Sequence, residues 1–216
     1  DMADTAWWKE FNDPALDALI TTALTDNLDL KAATARVDQY LGQWRTTRSE
    51  AFPQIGGSAS LSRQQDTKTG LSPGRSPYGY YGGSLNASWE IDIWGRIRRS
   101  TEAAQAELMA SEAGRRTVLL TLVSSVAGNY IILRGLDRQL EIARETELAY
   151  AESLRIFRAR HTYGTVSQLE VSQVESEYEN ARQTIPLIEG QIARQEHMLA
   201  LLIGHNPQPI LRGKNI

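Results

Sequence analysis

The chain has 216 residues, with 23 basic and 26 acidic side chains, a formal net charge of −3 and no cysteine. The charge balance gives no bulk attraction to nucleic acid, and the missing cysteine excludes a disulfide framework and thiolate chemistry. The length admits one or two domains with a sizeable core.

Residues 1–13 form an N-terminal segment. It opens on the polar stretch Asp1–Asp4 rather than an apolar leader, and its Trp7–Trp8 pair is expected to pack against neighbours. A first helical arm is expected over 14–52, with Asp13 as N-cap and Pro14 in the first helical position. Steps of three and four residues give the stripe Leu16, Leu19, Ala23, Asp26, Leu30, Ala33, Val37, Tyr40 and Trp44. Asp26 breaks it, within a stretch where Asp26 or Asn27 can cap a second helix that stays in phase. Pro53 stops the arm.

Glycine and proline are concentrated between Pro53 and Gly95, so 53–95 reads as a β-rich insert. Its first strand-like run is QIGGSASLSRQ and its second is SLNASWEIDIW, joined by the polar, turn-rich loop DTKTGLSPGRSPYG. In the second run Leu85, Ala87, Trp89, Ile91 and Ile93 alternate with Asn86, Ser88, Glu90 and Asp92. Such a strand has one apolar and one polar face.

A long helix is expected over 96–162, a turn over 163–167, a return helix over 168–204 and a linker over 205–216. The long helix would measure ~100 Å at ~1.5 Å per residue, which predicts a tall helical column. Its charge-free stretch Thr117–Leu133 falls short of the ~20 residues of a membrane span, and its Thr, Ser, Gly and Asn mark a buried helix segment instead. Further on, Leu133, Leu136, Leu140, Ala143, Glu147, Tyr150, Leu154 and Phe157 make a 3-4 stripe. In the return helix Val171, Val174, Tyr178, Ala181, Ile185, Ile188, Ile192, Gln195, Leu199 and Leu202 keep an unbroken heptad, the pattern of left-handed coiled-coil packing. Pro186 predicts a kink, and Gly204 with Pro207 ends the helix.

The two strand-like runs admit two readings. A sheet half buried on the helices is the commoner use of such alternation. Yet each run is about ten residues long, enough to cross a bilayer at a tilt of ~45°, and aromatics stand near the ends. Two strands cannot close a barrel, and a rod of two helical lines is equally incomplete. Copies arranged around an axis satisfy both. Ile55, Ala59, Leu61, Leu85, Ala87, Trp89, Ile91 and Ile93 would then face lipid. Asn86, Ser88, Glu90 and Asp92 would face a wet lumen. Leu85→Asp or Ile91→Asp would abolish insertion.

The motifs WWKEFNDPALDALITTAL, SWEIDIWGRIRR, RHTYGTVSQLEV and TIPLIEGQIARQEHMLALLIGHNP together resemble the TolC-like outer-membrane efflux channels, specifically the outer-membrane factors of resistance–nodulation–division pumps. The resemblance implies a mainly α fold with a β-hairpin, in which long antiparallel coiled-coil helices build an α-barrel and the strands enter a transmembrane β-barrel. It implies a homotrimer in the outer membrane of a Gram-negative bacterium, extending into the periplasm, working with a periplasmic adaptor and an inner-membrane pump as a passive export conduit, without cofactor or catalysis. This chain looks like the first of the family's two repeats. The turn residues Arg160, His161, Tyr163, Gly164, Thr165, Val166 and Ser167 correspond to the periplasmic tip that meets the adaptor. His161 stands where the family's tip has Tyr or Phe. Glu170 replaces its Asp, keeping a carboxylate for a tip network or simply for the helix dipole. Many family members begin with a lipidated cysteine just before the stretch that opens this chain, and the 216 residues contain no cysteine.

His161, His197 and His205 lack metal-site spacing, and neither a phosphate-binding loop nor a nucleophile elbow is present. Glu90 and Asp92 could imitate an acid–base pair, but lumen-facing positions explain them. The other reading of the whole chain is a soluble periplasmic coiled-coil adaptor or interaction protein.

Overall fold

The computed structural model describes residues 6–64 and 77–213. Its helices and strands follow in the order α1 (Pro14–Asp26), α2 (Leu28–Ser49), β1 (Gln54–Gln64), β2 (Tyr78–Ser88), α3 (Arg96–Thr162) and α4 (Gln168–Leu202), after a short 3-10 turn at Trp7–Phe11. The fold class is the expected one, mainly helical with a single antiparallel hairpin. The chain divides into two units, one made of residues 1–34 and 114–216, the other of residues 35–113.

In the first unit, α1 starts where its cap dictates: the Asp13 side chain accepts the Ala15 N–H at 2.9 Å, and Pro14 follows. The α1 residues Leu16, Leu19, Ile20 and Ala23 are buried in one core with Leu122, Val123, Val126, Ala127, Tyr130 and Leu133 of α3, Leu199 of α4, and Ile203. Each buried Leu or Ile contributes about 1.5–3 kcal/mol. Trp7 and Trp8 pack on this core, their rings edge to face at 6.2 Å. The Tyr130 hydroxyl donates to Asp13 Oδ2 at 2.8 Å and accepts the Gly213 N–H at 2.9 Å. Burial, then this bond to Asp13, raises the Tyr130 pKa.

Of the two candidate caps, Asn27 is the one used. Its Oδ1 accepts the Leu30 N–H at 2.9 Å, while its amide donates to the Leu202 carbonyl at 2.9 Å. One side chain, 6% exposed, thus closes the start of α2 and the end of α4 together. The α4 terminus is a Schellman motif: His205 N–H reaches the Ala200 carbonyl, Gly204 N–H reaches the Leu201 carbonyl, and Gly204 takes φ +75°. Beyond it, Ile210 is buried and Arg212 bonds to Asp137 and Glu196. Burial opposes the Arg212 charge, but these two carboxylates outweigh it and raise its pKa.

Every heptad position of α4 named from the sequence is buried or half-buried. Its polar member, Gln195, donates from Nε2 to the Asn129 carbonyl and side-chain oxygens, at 3.0 and 2.7 Å. The two sequence oddities, Asn129 in an apolar run and Gln195 in a heptad, therefore satisfy each other. The chain continues helically through Pro186.

The stretch 117–133 is buried on one face only. Leu122, Val123, Val126, Ala127, Tyr130 and Leu133 point into the core, whereas Leu120, Ile131 and Ile132 are exposed. Among the described residues α3 is the helix long and apolar enough to cross a membrane by length and composition. Its core-facing residues give the apolar run a different use: α1 and α4 cover one side and leave the other open.

In the second unit, the buried hydrophobic residues among those described are Ile97 and Ala104. The hairpin is exposed on both faces, with only Gly56 and Gly82 among its strand residues partly covered.

Candidate functional site

β1 and β2 pair antiparallel, from Gln54 opposite Ser88 to Gln64 opposite Tyr78. Directly opposed residues lie on the same side of a sheet, and side chains alternate along each strand. The register therefore sorts both strands at once. One face carries Ile55, Gly57, Ala59, Leu61 and Arg63 with Ala87, Leu85, Gly83, Tyr81 and Gly79. The other carries Gln54, Gly56, Ser58, Ser60, Ser62 and Gln64 with Ser88, Asn86, Ser84, Gly82, Tyr80 and Tyr78. Ser58 and Ser84 share a hydroxyl–hydroxyl hydrogen bond of 2.8 Å on that polar face.

Ile55, Ala59, Leu61, Leu85 and Ala87 thus share one face, and Asn86 and Ser88 the other. The remaining strand assignments need correction. β2 ends at Ser88, so Trp89, Glu90, Ile91, Asp92 and Ile93 lie outside the strand. The ladder stops because β1 has no partner beyond Gln54, which follows Pro53. The acidic residues are then held elsewhere. Arg96 donates to Glu90 from Nε at 3.0 Å and from Nη2 at 2.7 Å, and it also lies 3.7 Å from Glu50. Asp92 accepts the Arg98 N–H at 2.9 Å, at the first turn of α3. The Arg96 bond holds the Glu90 pKa below its ordinary value, and the Arg98 N–H does the same for Asp92. Both carboxylates are hydrogen-bonded within the chain, and because the strand ends at Ser88 the substitution that tests its lipid contact is the one at Leu85 rather than at Ile91. At its other end β2 includes Tyr78–Gly83, which the glycines disguise as loop; the spacing of Tyr78 and Tyr80 was the available signal. Most of the expected extracellular loop, 66–76, lies outside the described residues.

The turn between α3 and α4 closes both helix ends. Gly164 at φ +72° donates its N–H to the His161 carbonyl, and Thr165 N–H reaches the Arg160 carbonyl, a second Schellman motif. The His161 ring meets the Val166 carbonyl at 3.0 Å through Nδ1; a carbonyl only accepts, so Nδ1 carries the proton. Ser167 then caps α4. Glu170 N–H donates to Ser167 Oγ at 3.3 Å, and the Glu170 carboxylate accepts the Ser167 N–H at 2.6 Å. This capping box is the use Glu170 has within the chain. Arg158 pairs with Glu175 across the turn at 2.6 Å, and Arg160 lies over the Phe157 ring. Tyr163 stays 84% exposed.

The Ser167 N–H, then its hydroxyl, lowers the Glu170 pKa from 4.5. A depressed carboxylate stabilises the fold above its unfolded pKa and loses that contribution as pH falls through the folded value. Ser167→Ala should cost about 1 kcal/mol, read as a lower unfolding midpoint. Hydrogen-exchange protection at the first turn of α4, taken relative to the intrinsic exchange rate at each pH, should fall on acidification below 4.5 in the parent and show less of this acid dependence in Glu170→Gln. An equal acid response in both would refute the role of the Glu170 charge.

Among the described residues no group of three His, Cys, Asp or Glu side chains is placed to hold a metal. His205 presents Nε2 to Asp26 at 3.3 Å and accepts from Gln208 at Nδ1.

An exposed hairpin with one apolar and one hydroxyl- and amide-lined face, between long heptad-patterned helices, is the form of an outer-membrane channel protein. The model of the outer membrane efflux protein family matches residues 19–205, and the chain belongs to that family. It is 35% identical over 211 residues to the pyoverdine export outer membrane protein OpmQ of Pseudomonas aeruginosa, covering 94% of this chain and 44% of that protein. It is 31% identical over 201 residues to the cation efflux system protein CusC of Escherichia coli, covering 93% of this chain and 43% of that protein. Among solved structures, the outer-membrane channel OprN superposes with a TM-score of 0.82 at 27% identity, covering 94% of this chain and 46% of OprN. VceC of Vibrio cholerae gives 0.80 at 26%, covering 93% of this chain and 49% of VceC. The chain thus spans less than half the length of the curated relatives it matches. These relatives are named as export, efflux, outer-membrane or outer-membrane channel proteins, and the location is the outer membrane.

Proposed function

We propose that the chain is half of a channel subunit in a tripartite efflux system, a passive conduit for small toxic compounds across the periplasm and outer membrane. The observation that carries this is the register of the hairpin. It places Ile55, Ala59, Leu61, Leu85 and Ala87 on one exposed face and Asn86, Ser88 and the serines on the other. In a barrel assembled from such hairpins the first face meets lipid and the second lines water. The subunits form a trimer, and 160–167 meets a periplasmic adaptor fed by an inner-membrane pump. With both helix ends satisfied internally, Tyr163 and Leu169 remain as exposed apolar contacts for that partner.

Fractionation of cells making the protein, with an assay of dye accumulation, tests the reading. The protein should sediment with the outer membrane, and its loss should raise intracellular dye. Recovery in the soluble periplasm would instead favour a coiled-coil adaptor.

A further inference from the structure

Each strand of the hairpin has 11 residues, and Arg63 is the single charged one among them. The register sets it on the apolar face, in line with Ile55, Gly57, Ala59 and Leu61 and directly opposite Gly79. Neither strand contains Asp or Glu, so the hairpin offers this guanidinium no counter-charge of its own. Its place on that face is terminal. The pairs from Ile55–Ala87 to Leu61–Tyr81 come first, and Arg63–Gly79 closes the row at the loop end. From Ile55 to Arg63 is ~27 Å of strand at ~3.4 Å per residue, which at a tilt of ~45° crosses most of an apolar band ~25 Å tall. Gly79 leaves room opposite Arg63, and Tyr81 leans into it: a Cβ on Gly79 would stand 3.6 Å from the Tyr81 hydroxyl and 3.5 Å from its ring. Directly opposed residues have Cβ positions about 4.5–5.5 Å apart, so the phenol reaches the end of the row beside Arg63.

From this we infer that Arg63 and Tyr81 form a binding site for a phosphate-bearing lipid headgroup of the outer leaflet, of the lipid A type. The inference rests on the proposed lipid contact of the hairpin. The loop end is the end away from α2 and α3, hence the outer leaflet when the helices stand in the periplasm. Charge complementarity chooses the occupant. A guanidinium with no carboxylate in its own sheet, set on the face that meets lipid, needs an anion that arrives with the lipid. Its planar fork of N–H donors matches phosphate oxygens two at a time, and the phenolic hydroxyl adds a further donor. The long apolar stem lets the charged head reach headgroup level from a backbone position still in the apolar row.

The protein is purified in its assembled form in a mild detergent and titrated with diphosphoryl lipid A, and bound lipid is counted by native mass spectrometry. The parent should bind lipid A, Arg63→Gln should bind it about tenfold more weakly, and Tyr81→Phe should lose a smaller factor. Both replaced side chains are exposed, so neither change empties a core. Lipid A stripped of its phosphates should bind the parent no better than diphosphoryl lipid A binds Arg63→Gln, an arm that needs no variant to fold. Equal affinity of the parent and Arg63→Gln, or of the two lipids for the parent, would overturn the site. Displacement of the lipid by millimolar inorganic phosphate would overturn lipid as the source and leave a free-phosphate site. A parent that takes up no lipid A would overturn it as well, since a neighbouring strand would then supply the counter-charge. A spin label on Leu85→Cys, in a chain with no cysteine of its own, reads the hairpin's lipid contact separately in phospholipid vesicles. Collision there with a water-soluble nickel complex rather than oxygen sinks that contact and the site with it. Collision with oxygen, together with undiminished binding in Arg63→Gln, sinks the site alone.

Discussion

Replacing Gly204 by alanine should lower the stability of the first unit by about 2–4 kcal/mol, read as a shift of the denaturation midpoint. Two costs add. Alanine at φ +75° sits in the left-handed region, which disfavours a Cβ by about 1–2 kcal/mol. That Cβ would also stand 2.6 Å from the Asp26 carbonyl oxygen and 2.9 Å from its carbon, both main-chain atoms that no rotamer change can move. Relief requires α1 and the end of α4 to part, which stretches the Asn27 amide bond to the Leu202 carbonyl. Gly164 supplies the control. It has nearly the same dihedral, φ +72°, and an added Cβ there meets nothing within 4 Å. Gly164→Ala should therefore lose only the conformational part. Equal midpoint shifts in the two variants would mean that the close approach at Asp26 contributes nothing.

The pattern of legibility follows from the range of the interactions. Asp13, Gly164 and Ser167 act within three or four residues of themselves, so their roles can be read from local sequence. The heptad of α4 is equally local, being a property of one helix face. Asn27 was ambiguous because its second bond goes to Leu202, 175 residues away. Asn129 and Gln195 each look like a defect until they are placed together. The end of β2 was misplaced for the same reason. Alternation fixes which residues share a side but not where a ladder stops, and the stop at Ser88 depends on Gln54 of the other strand. Beyond that point the same period-two pattern serves a turn whose acidic side faces Arg96 and the first turn of α3. Glycine-rich Tyr78–Gly83 carries low strand propensity, and its pairing with β1 overrides it.

Leu85→Arg should remove the protein from the outer membrane, while Ser84→Arg leaves it there. The residues are adjacent, so propensity, depth and added charge are nearly matched; what differs is the face. Leu85 lies opposite Gly57 on the apolar side, 87% exposed, and Ser84 lies opposite Ser58 on the hydroxyl side. An arginine on the lipid face of a barrel costs up to about 2–4 kcal/mol at the midplane and less toward the interfaces. A symmetric trimer would incur that cost three times. On the lumen side the guanidinium stays hydrated, and the loss is limited to one exposed hydroxyl pair. In a water-soluble protein neither change would matter, because surface substitutions away from special features stay within about 0.5 kcal/mol. The measurement is the fraction of each variant recovered with outer membranes as heat-modifiable, protease-resistant oligomer. Loss confined to Leu85→Arg requires that the side chain face hydrocarbon. Equal recovery of both variants would turn the hairpin into a surface sheet of a soluble protein, and equal loss of both would mean that the two faces are alike in their surroundings, against the separation that the register imposes.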